Sequence, residues 1–473
     1  MMLRAPRNGP RFSGEMSSLL RTLRLPDILL LFIGSVIGSG IFLTPGLILK
    51  QVHGSVGLAM LVWAAGGVMS LLGALTYAEL AAAHPEAGGL YCFIRDGFGR
   101  LPAFLYGWCL FLVISSAAIA ALARAFARYL GEVVTLSPWQ ANAAALLMIL
   151  LVGVVNVRGT RHSSDLQNWT TLIKGGLVLV LSLVLLAFGK HGGDIIPASG
   201  TSLRGVELFS GFSLAMIAVL WAYEGWQFGT YSAGEVMEPQ KVFPRAFLLG
   251  SLILIGLYVV AVLGYLVALG PAQATESEAI AATSVNAVLG PWAGKVVALT
   301  ILISVFSATN SVVLTAPRVF YAMAKDNLFF KTLAEVHPRF HTPAAAIAAL
   351  CAWAAVLTFA GKFSELIDGV VFVGWIFYGL SGAAIFPLRR ASGGKTLPYR
   401  VPGYPWTPVV FLIAAAAVVG NAIYLASRDP AQFRHVLAAL ILMALGVPAY
   451  FFWRRQNQRF GDARESADER TAG

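Results

Sequence analysis

The chain has 473 residues, 58% of them hydrophobic and 12% charged, with a mean hydropathy of +0.74. A water-soluble domain carries about a quarter of its residues as charges to cover its surface, so this composition excludes one. The net charge of +11 invites a nucleic-acid interface, but its placement in alternate loops between apolar runs excludes that too.

Apolar runs of about 20 residues, each enough for a helix across the hydrocarbon core, recur from end to end. They lie near 27–50, 56–83, 98–130, 139–156, 166–189, 206–234, 245–269, 292–324, 344–361, 364–387, 408–426 and 435–454. A β-barrel would instead show alternation over segments of ~10 residues. The predicted class is therefore an all-α polytopic membrane protein with twelve transmembrane helices. The runs at 98–130 and 292–324 exceed the bilayer and are expected to tilt or project beyond it. The first run is too long for a leader peptide and shows no small-residue cleavage site, so no cleavable signal is expected. The polar tail 456–473 is predicted to be disordered.

Lys and Arg alternate between the two sides. Arg4, Arg7, Arg11, Arg21 and Arg24 precede the first run, and alternate loops carry Arg95 with Arg100, Arg158 with Arg161, Lys241 with Arg245, Lys325 with Lys331, and Arg389 with Arg390. The loop from Pro271 to Pro291 has none. This positive-inside pattern predicts cytoplasmic termini and an even number of spans. The basic excess faces lipid headgroups, so membrane lipid is the expected partner and nucleic acid is not.

Two runs are interrupted. In the first, Val36-Ile37-Gly38-Ser39-Gly40-Ile41-Phe42 is followed by Pro45-Gly46, a poor recipe for a continuous helix. Backbone groups freed at membrane depth cost several kcal/mol each unless replaced. The break is either a packing kink or a place to bind a polar solute. In the sixth, Leu220-Trp221-Ala222-Tyr223-Glu224-Gly225-Trp226-Gln227-Phe228-Gly229 places a glutamate at membrane depth, a cost of roughly 2.5–3.5 kcal/mol on insertion scales. Interruptions one and six open two halves of five spans each. Paired interruptions at corresponding positions point to a transporter binding site. No residue-level repeat accompanies them, so the symmetry rests on the breaks alone.

Cys92, Cys109 and Cys351 are dispersed without metal-ligand spacing, and the last two sit in apolar runs as packing residues. No Ser-His-Asp arrangement, zinc motif or phosphate loop is present. Neither enzymatic activity, nor a cofactor, nor a metal is expected.

Further segments follow in order: Tyr77-Ala78-Glu79-Leu80, Glu235-Val236-Met237-Glu238-Pro239-Gln240, Asn310, Arg318, Ala322-Met323-Ala324-Lys325-Asp326, Trp375-Ile376-Phe377-Tyr378-Gly379 and Tyr399-Arg400-Val401-Pro402-Gly403-Tyr404-Pro405. Together with the two breaks they resemble the amino acid–polyamine–organocation superfamily, and within it the L-type amino acid transporters and their bacterial relatives. The resemblance implies the LeuT fold, a 5+5 inverted repeat with broken helices 1 and 6 and two extra helices. It divides the chain into a cytoplasmic N-terminus at 1–26, repeats at 27–189 and 190–390, helices 11 and 12 at 391–455, and the tail at 456–473.

An amino acid substrate presents a carboxylate and an ammonium on one carbon. The N–H groups of Ser39, Gly40 and Ile41, at a half-helix N-terminus, suit the carboxylate. The carbonyls of Val36, Ile37, Trp221, Ala222 and Glu224 suit the ammonium. Side-chain selectivity falls to helices three, eight and ten. Trp221 stands at the family's aromatic gate, where phenylalanine is common, and its bulk favours a small substrate.

Lys174 has three open readings. It snorkels to the interface, it occupies the place of a sodium ion as in sodium-independent members, or it carries a proton. Glu224 stands where relatives often have glycine or aspartate. It is a structural acceptor, a proton-coupling group or a selector of cationic substrates. Glu79 and Glu235 are expected as structural or gating partners, and Arg124 and Arg128 as snorkelling residues.

Animal L-type transporters hold a single-span glycoprotein through a disulfide in the loop after helix three. That loop here, Tyr129 to Trp139, has no cysteine, so no disulfide-linked ancillary subunit is expected and a bacterial inner-membrane member is favoured. The function expected is sodium-independent exchange of small or medium neutral L-amino acids by alternating access. The alternatives are a proton-coupled transporter or antiporter of cationic amino acids or polyamines, and a sensor that binds without transporting. The short termini argue against the sensor.

Overall fold

The computed structural model describes residues 19–195, 206–360, 363–393 and 397–472. Arg4, Arg7 and Arg11 lie outside the described residues. Among the described residues the regular structure is helical, apart from one isolated bridge between Leu23 and Val236. The chain is an all-α polytopic membrane protein.

The order begins with α1 (Leu25–Val36), α2 (Gly40–Gln51), α3 (Val56–Ala83) and the short α4 (Leu90–Phe98). The third span is α5 (Arg100–Cys109), a π-helical turn Leu110–Ile114 and α6 (Ser115–Val133). Then come α7 (Pro138–Val157), α8 (Thr160–Phe188), α9 (Val206–Ala222), a 3-10 segment Trp226–Glu235 and α10 (Pro239–Glu276). The remainder is α11 (Ile280–Leu289), α12 (Ala293–Thr315) with α13 (Pro317–Lys325), α14 (Ala344–Ala360), α15 (Phe363–Ala383), α16 (Ile385–Ala391), α17 (Trp406–Ala426) and α18 (Pro430–Ala472).

Nine helices among the described residues are long and apolar enough to cross a membrane, ten if α1 and α2 count as one broken span. Two of the twelve predicted runs yield helices of only 17 residues, α9 and α14. For α9 the reason is the break itself, which ends the α-helix at Ala222. Helix α18 carries helical backbone over 456–472, where the polar composition predicts a disordered tail. Its Ala, Arg and Glu are strong helix formers.

Helix α1 starts cleanly. Pro26 sits in the first turn, where its missing N–H costs nothing, and the Asp27 carboxylate accepts the Arg24 N–H at 2.8 Å. It then packs against α8, α10 and α12. At Ile37 (φ −70°, ψ 86°) the backbone leaves the helix, and the axis bends by 46° into α2. Helix α2 packs against α9, α10 and α11.

The two interruptions touch. Gly225 has φ +121°, a conformation that favours glycine. A methyl group there would meet the Ser35 carbonyl oxygen at 2.7 Å. A methyl on Gly40 would meet the Ala222 Cα at 2.8 Å. Glycine at these two positions lets the backbones of the broken helices pass in contact.

The crossing generates a stability prediction. Gly225→Ala adds both an unfavourable φ and a backbone clash, together about 2–4 kcal/mol. A fall in the thermal unfolding midpoint in detergent is expected. A wild-type midpoint would contradict the close crossing.

Candidate functional site

The break in α1 exposes opposite backbone ends. The last carbonyls of α1 and the first N–H groups of α2 have no partner within their own helices. The carbonyl end is electronegative and the N–H end electropositive. One side of the gap therefore seats a cation and the other an anion.

The cation side is filled from α8. Lys174 is fully buried, and its Nζ donates to the carbonyls of Gly34 at 2.6 Å and Ile37 at 2.7 Å, with the Ser304 carbonyl at 3.5 Å. Ser304 Oγ, on α12, donates to the Ile37 carbonyl at 2.9 Å. The ammonium thus joins α1, α8 and α12 at the break and does not reach an interface. Burial inside a bundle of carbonyl acceptors excludes the snorkelling reading.

The anion side is open. Among the described residues no acceptor meets the N–H groups of Ser39, Gly40 or Ile41. Ser39 and Gly40 line a cavity of about 130 Å³, together with Val36, Trp221, Ala222 and Glu224. An apolar cavity of ~150 Å³ admits benzene, so the space suits a solute of a few heavy atoms. The side chain of Ile41 is packed in the core, leaving its N–H as its contribution at the helix start.

The other walls come from Ile114, Ala118, Ala121 and Leu122 of the third span and from Ala308 and Val312 of α12. Ile114 ends the π-helical turn Leu110–Ile114; such turns recur at functional sites. These walls carry small or apolar side chains. The third and eighth spans were expected to set selectivity with the tenth; among the described residues the tenth span meets the cavity wall through the Tyr378 hydroxyl on Glu224 and does not itself line the space.

Four of the candidate carbonyls are already engaged. That of Ile37 accepts from Lys174 and Ser304, and that of Val36 from the Gly38 N–H at 2.8 Å and the Tyr258 hydroxyl at 3.0 Å. A carbonyl has two lone pairs, so both are filled, and Ile37 does not line the cavity. The Ala222 carbonyl lies 3.2 Å from the same Tyr258 Oη, whose single proton it shares with the nearer Val36 carbonyl, and that of Trp221 accepts the Glu224 N–H at 3.1 Å. The last two each keep at least one lone pair.

Tyr258 on α10 bridges both breaks, and sequence reasoning missed it. A tyrosine within an apolar run carries no signal of its own. Its ring is held edge-on by Trp63 and tilted against Tyr223.

Glu224 lines the cavity, and its Oε1 accepts from the Tyr378 hydroxyl at 2.7 Å. No cationic side chain pairs with it among the described residues. Tyr378 in turn accepts, through its carbonyl, from the Tyr77 hydroxyl at 2.8 Å.

Farther along the 3-10 segment, Glu235 forms a fully buried pair with Arg318. Nε donates to Oε2 at 2.7 Å and Nη2 to Oε1 at 3.0 Å, while Thr160 Oγ1 donates to Oε1 at 2.6 Å. The carbonyl of Glu235 accepts the N–H groups of Thr22 and Leu23 at 2.9 and 3.0 Å, which ties the segment before α1 to the end of the broken sixth run. Glu79 pairs with Arg389 and accepts the Val401 N–H, both at 2.5 Å. Both glutamates are thus ion-paired and outside the cavity.

Removing the Tyr258 hydroxyl tests the bridge. Tyr258→Phe keeps the ring contacts and is expected to cost about 1 kcal/mol of stability, read as a lowered unfolding midpoint. An unchanged midpoint would mean that the two carbonyls find other donors.

Comparison with known proteins gives this geometry a context. A family profile described as amino acid permease matches residues 23–447. The serine/threonine exchanger SteT of Bacillus subtilis (strain 168) is 30% identical, over 93% of this chain and 99% of its own length. The Asc-type amino acid transporter 1 of Mus musculus is 28% identical, over 93% and 83%. The b(0,+)-type amino acid transporter 1 of Homo sapiens is 30% identical, over 82% and 80%.

Proposed function

We propose a finer function for a chain that belongs to the amino acid permease family, and so is an amino acid transporter and not an enzyme. It is a sodium-independent exchanger of small neutral L-amino acids, working by alternating access on the twelve-helix LeuT plan with both termini in the cytoplasm. One observation carries this: the Lys174 ammonium on the carbonyls at the end of α1. A fixed cation there does the bracing that a bound Na⁺ would do, so the carrier needs no ion gradient.

In this mechanism the substrate carboxylate lies on the N–H groups of Ser39, Gly40 and Ile41. The ammonium turns to the carbonyls of Trp221, Ala222 and Glu224, because those of Val36 and Ile37 are filled. The small cavity and the bulk of Trp221 favour a short side chain. The similarity to a serine/threonine exchanger supports the same choice. No disulfide-linked partner is proposed, since the loop 129–139 has no cysteine.

A second reading rests on Glu224. Its carboxylate faces the cavity with the Tyr378 hydroxyl as its hydrogen-bond donor, which would suit proton coupling or a cationic substrate.

Two experiments in proteoliposomes separate these. Uptake of labelled serine or threonine is expected to require internal unlabelled amino acid and to persist when Na⁺ is replaced. Lys174→Ala takes the donor from the buried Gly34 carbonyl and one of the two donors from that of Ile37, a cost of about 1–3 kcal/mol, and should lower exchange on the order of tenfold. Strong Na⁺ stimulation of the native protein would sink the proposal. For Glu224→Gln, which can still accept from Tyr378, neutral exchange with an unchanged pH profile is expected. Loss of a pH-driven uptake would transfer the assignment to proton coupling.

A further inference from the structure

A second cavity lies away from the transport site, on the flank of α7 and α14. It is a groove of about 630 Å³ between Leu146, Ile149 and Gly153 on one helix and Ile347, Cys351 and Ala355 on the other. Gly153 gives it depth, since a methyl there would meet Cys351 Sγ at 3.1 Å. The groove ends at Arg158 and Phe340. Arg158 is exposed, and the exposed Arg339 guanidinium lies 5.5 Å from the centre of the Phe340 ring. Neither guanidinium has a carboxylate partner among the described residues.

We infer that this groove is a binding site for an anionic phospholipid, with one acyl chain between α7 and α14 and the phosphate at Arg158 and Arg339. Length argues for a lipid over a second copy of the chain. From Leu146 to Arg158 the helix rises about 18 Å at ~1.5 Å per residue. That is little more than one leaflet of a hydrocarbon core of ~30 Å, whereas a helix–helix interface would run its full depth. Charge argues for an anionic headgroup. Every lining residue except Arg158 is apolar, and each basic residue near the surface contributes attraction to anionic lipid. By the loop charges, the site faces the cytoplasmic leaflet.

The site also has a mechanical consequence. Asn156, between the lining residues Val154 and Val157 on the same helix, donates to Asn310 on α12 at 2.9 Å and accepts from Ser163 at 2.6 Å. A lipid seated here supports the helix from which this buried network is anchored.

Cys351 reports occupancy, because Cys92 and Cys109 are buried while Cys351 is partly exposed in the groove. The experiment measures the maleimide-labelling rate of Cys351 in detergent-purified protein. The titrants are phosphatidylglycerol and phosphatidylcholine with the same acyl chains. Phosphatidylglycerol is expected to protect at a roughly tenfold or greater lower concentration, and the Arg158→Gln, Arg339→Gln double variant should abolish that preference. Both positions are exposed, so the variant should fold, and its unfolding midpoint without lipid provides the check. Equal protection by the two lipids, an unchanged preference in the variant, or protection that rises with protein instead of lipid would each overturn the site.

Discussion

A helix broken inside a membrane must satisfy backbone groups that water cannot reach. The rest of this structure follows from how the break between α1 and α2 meets that demand. Its carbonyl end is held by an ammonium, a serine and a tyrosine hydroxyl supplied by three other helices. Its N–H end is left open onto a small cavity. The same dipolar logic that makes the break costly gives its two ends opposite preferences. The carbonyl end is satisfied by the protein itself, and the N–H end is left for an anionic group.

Around this centre the polar contacts divide into two sets. Those on α1 cross to α8, α10 and α12 through Lys174, Tyr258 and Ser304, and glycines at 40 and 225 allow the two broken runs to touch. A separate buried network joins Asn156, Ser163, Gln167, Ser307 and Asn310 across α7, α8 and α12. Its members are neutral amides and hydroxyls, so it ties helices together without adding charge. The buried pair of Glu235 and Arg318 closes the far end of the broken sixth run. Breaking either partner alone would leave an uncompensated buried charge, typically costing about 3–5 kcal/mol. Such a pair holds one arrangement firmly, and an alternating-access cycle must separate or carry it intact.

Much of this was legible in the sequence because the breaks are local. Gly38-Ser39-Gly40 and Glu224-Gly225 violate helix propensity and membrane cost within a few residues, and no distant partner is needed to see it. Lys174 was legible as an anomaly, a lysine inside an apolar run, but its acceptors were not. The carbonyls of Gly34 and Ile37 lie some 140 residues away in the chain, and carbonyls have no sequence signature. Tyr258 was invisible for a related reason, since one tyrosine among 14 announces nothing until two broken helices converge on it. The Ile37 carbonyl, expected to meet the substrate ammonium, accepts instead from Lys174 and Ser304. Element lengths misled at α9, where the apolar run continues past the point at which the helix ends.

In the proposed function the paired breaks recognise the backbone of an amino acid. The measurement to make is competition for transport by a small L-amino acid, its methyl ester and its decarboxylated amine, at matched side chain. Neither the ester nor the amine should compete, because each removes the carboxylate to which the open N–H groups of α2 would donate. Competition by either analogue comparable to that of the intact amino acid would contradict the claim and move recognition elsewhere in the bundle.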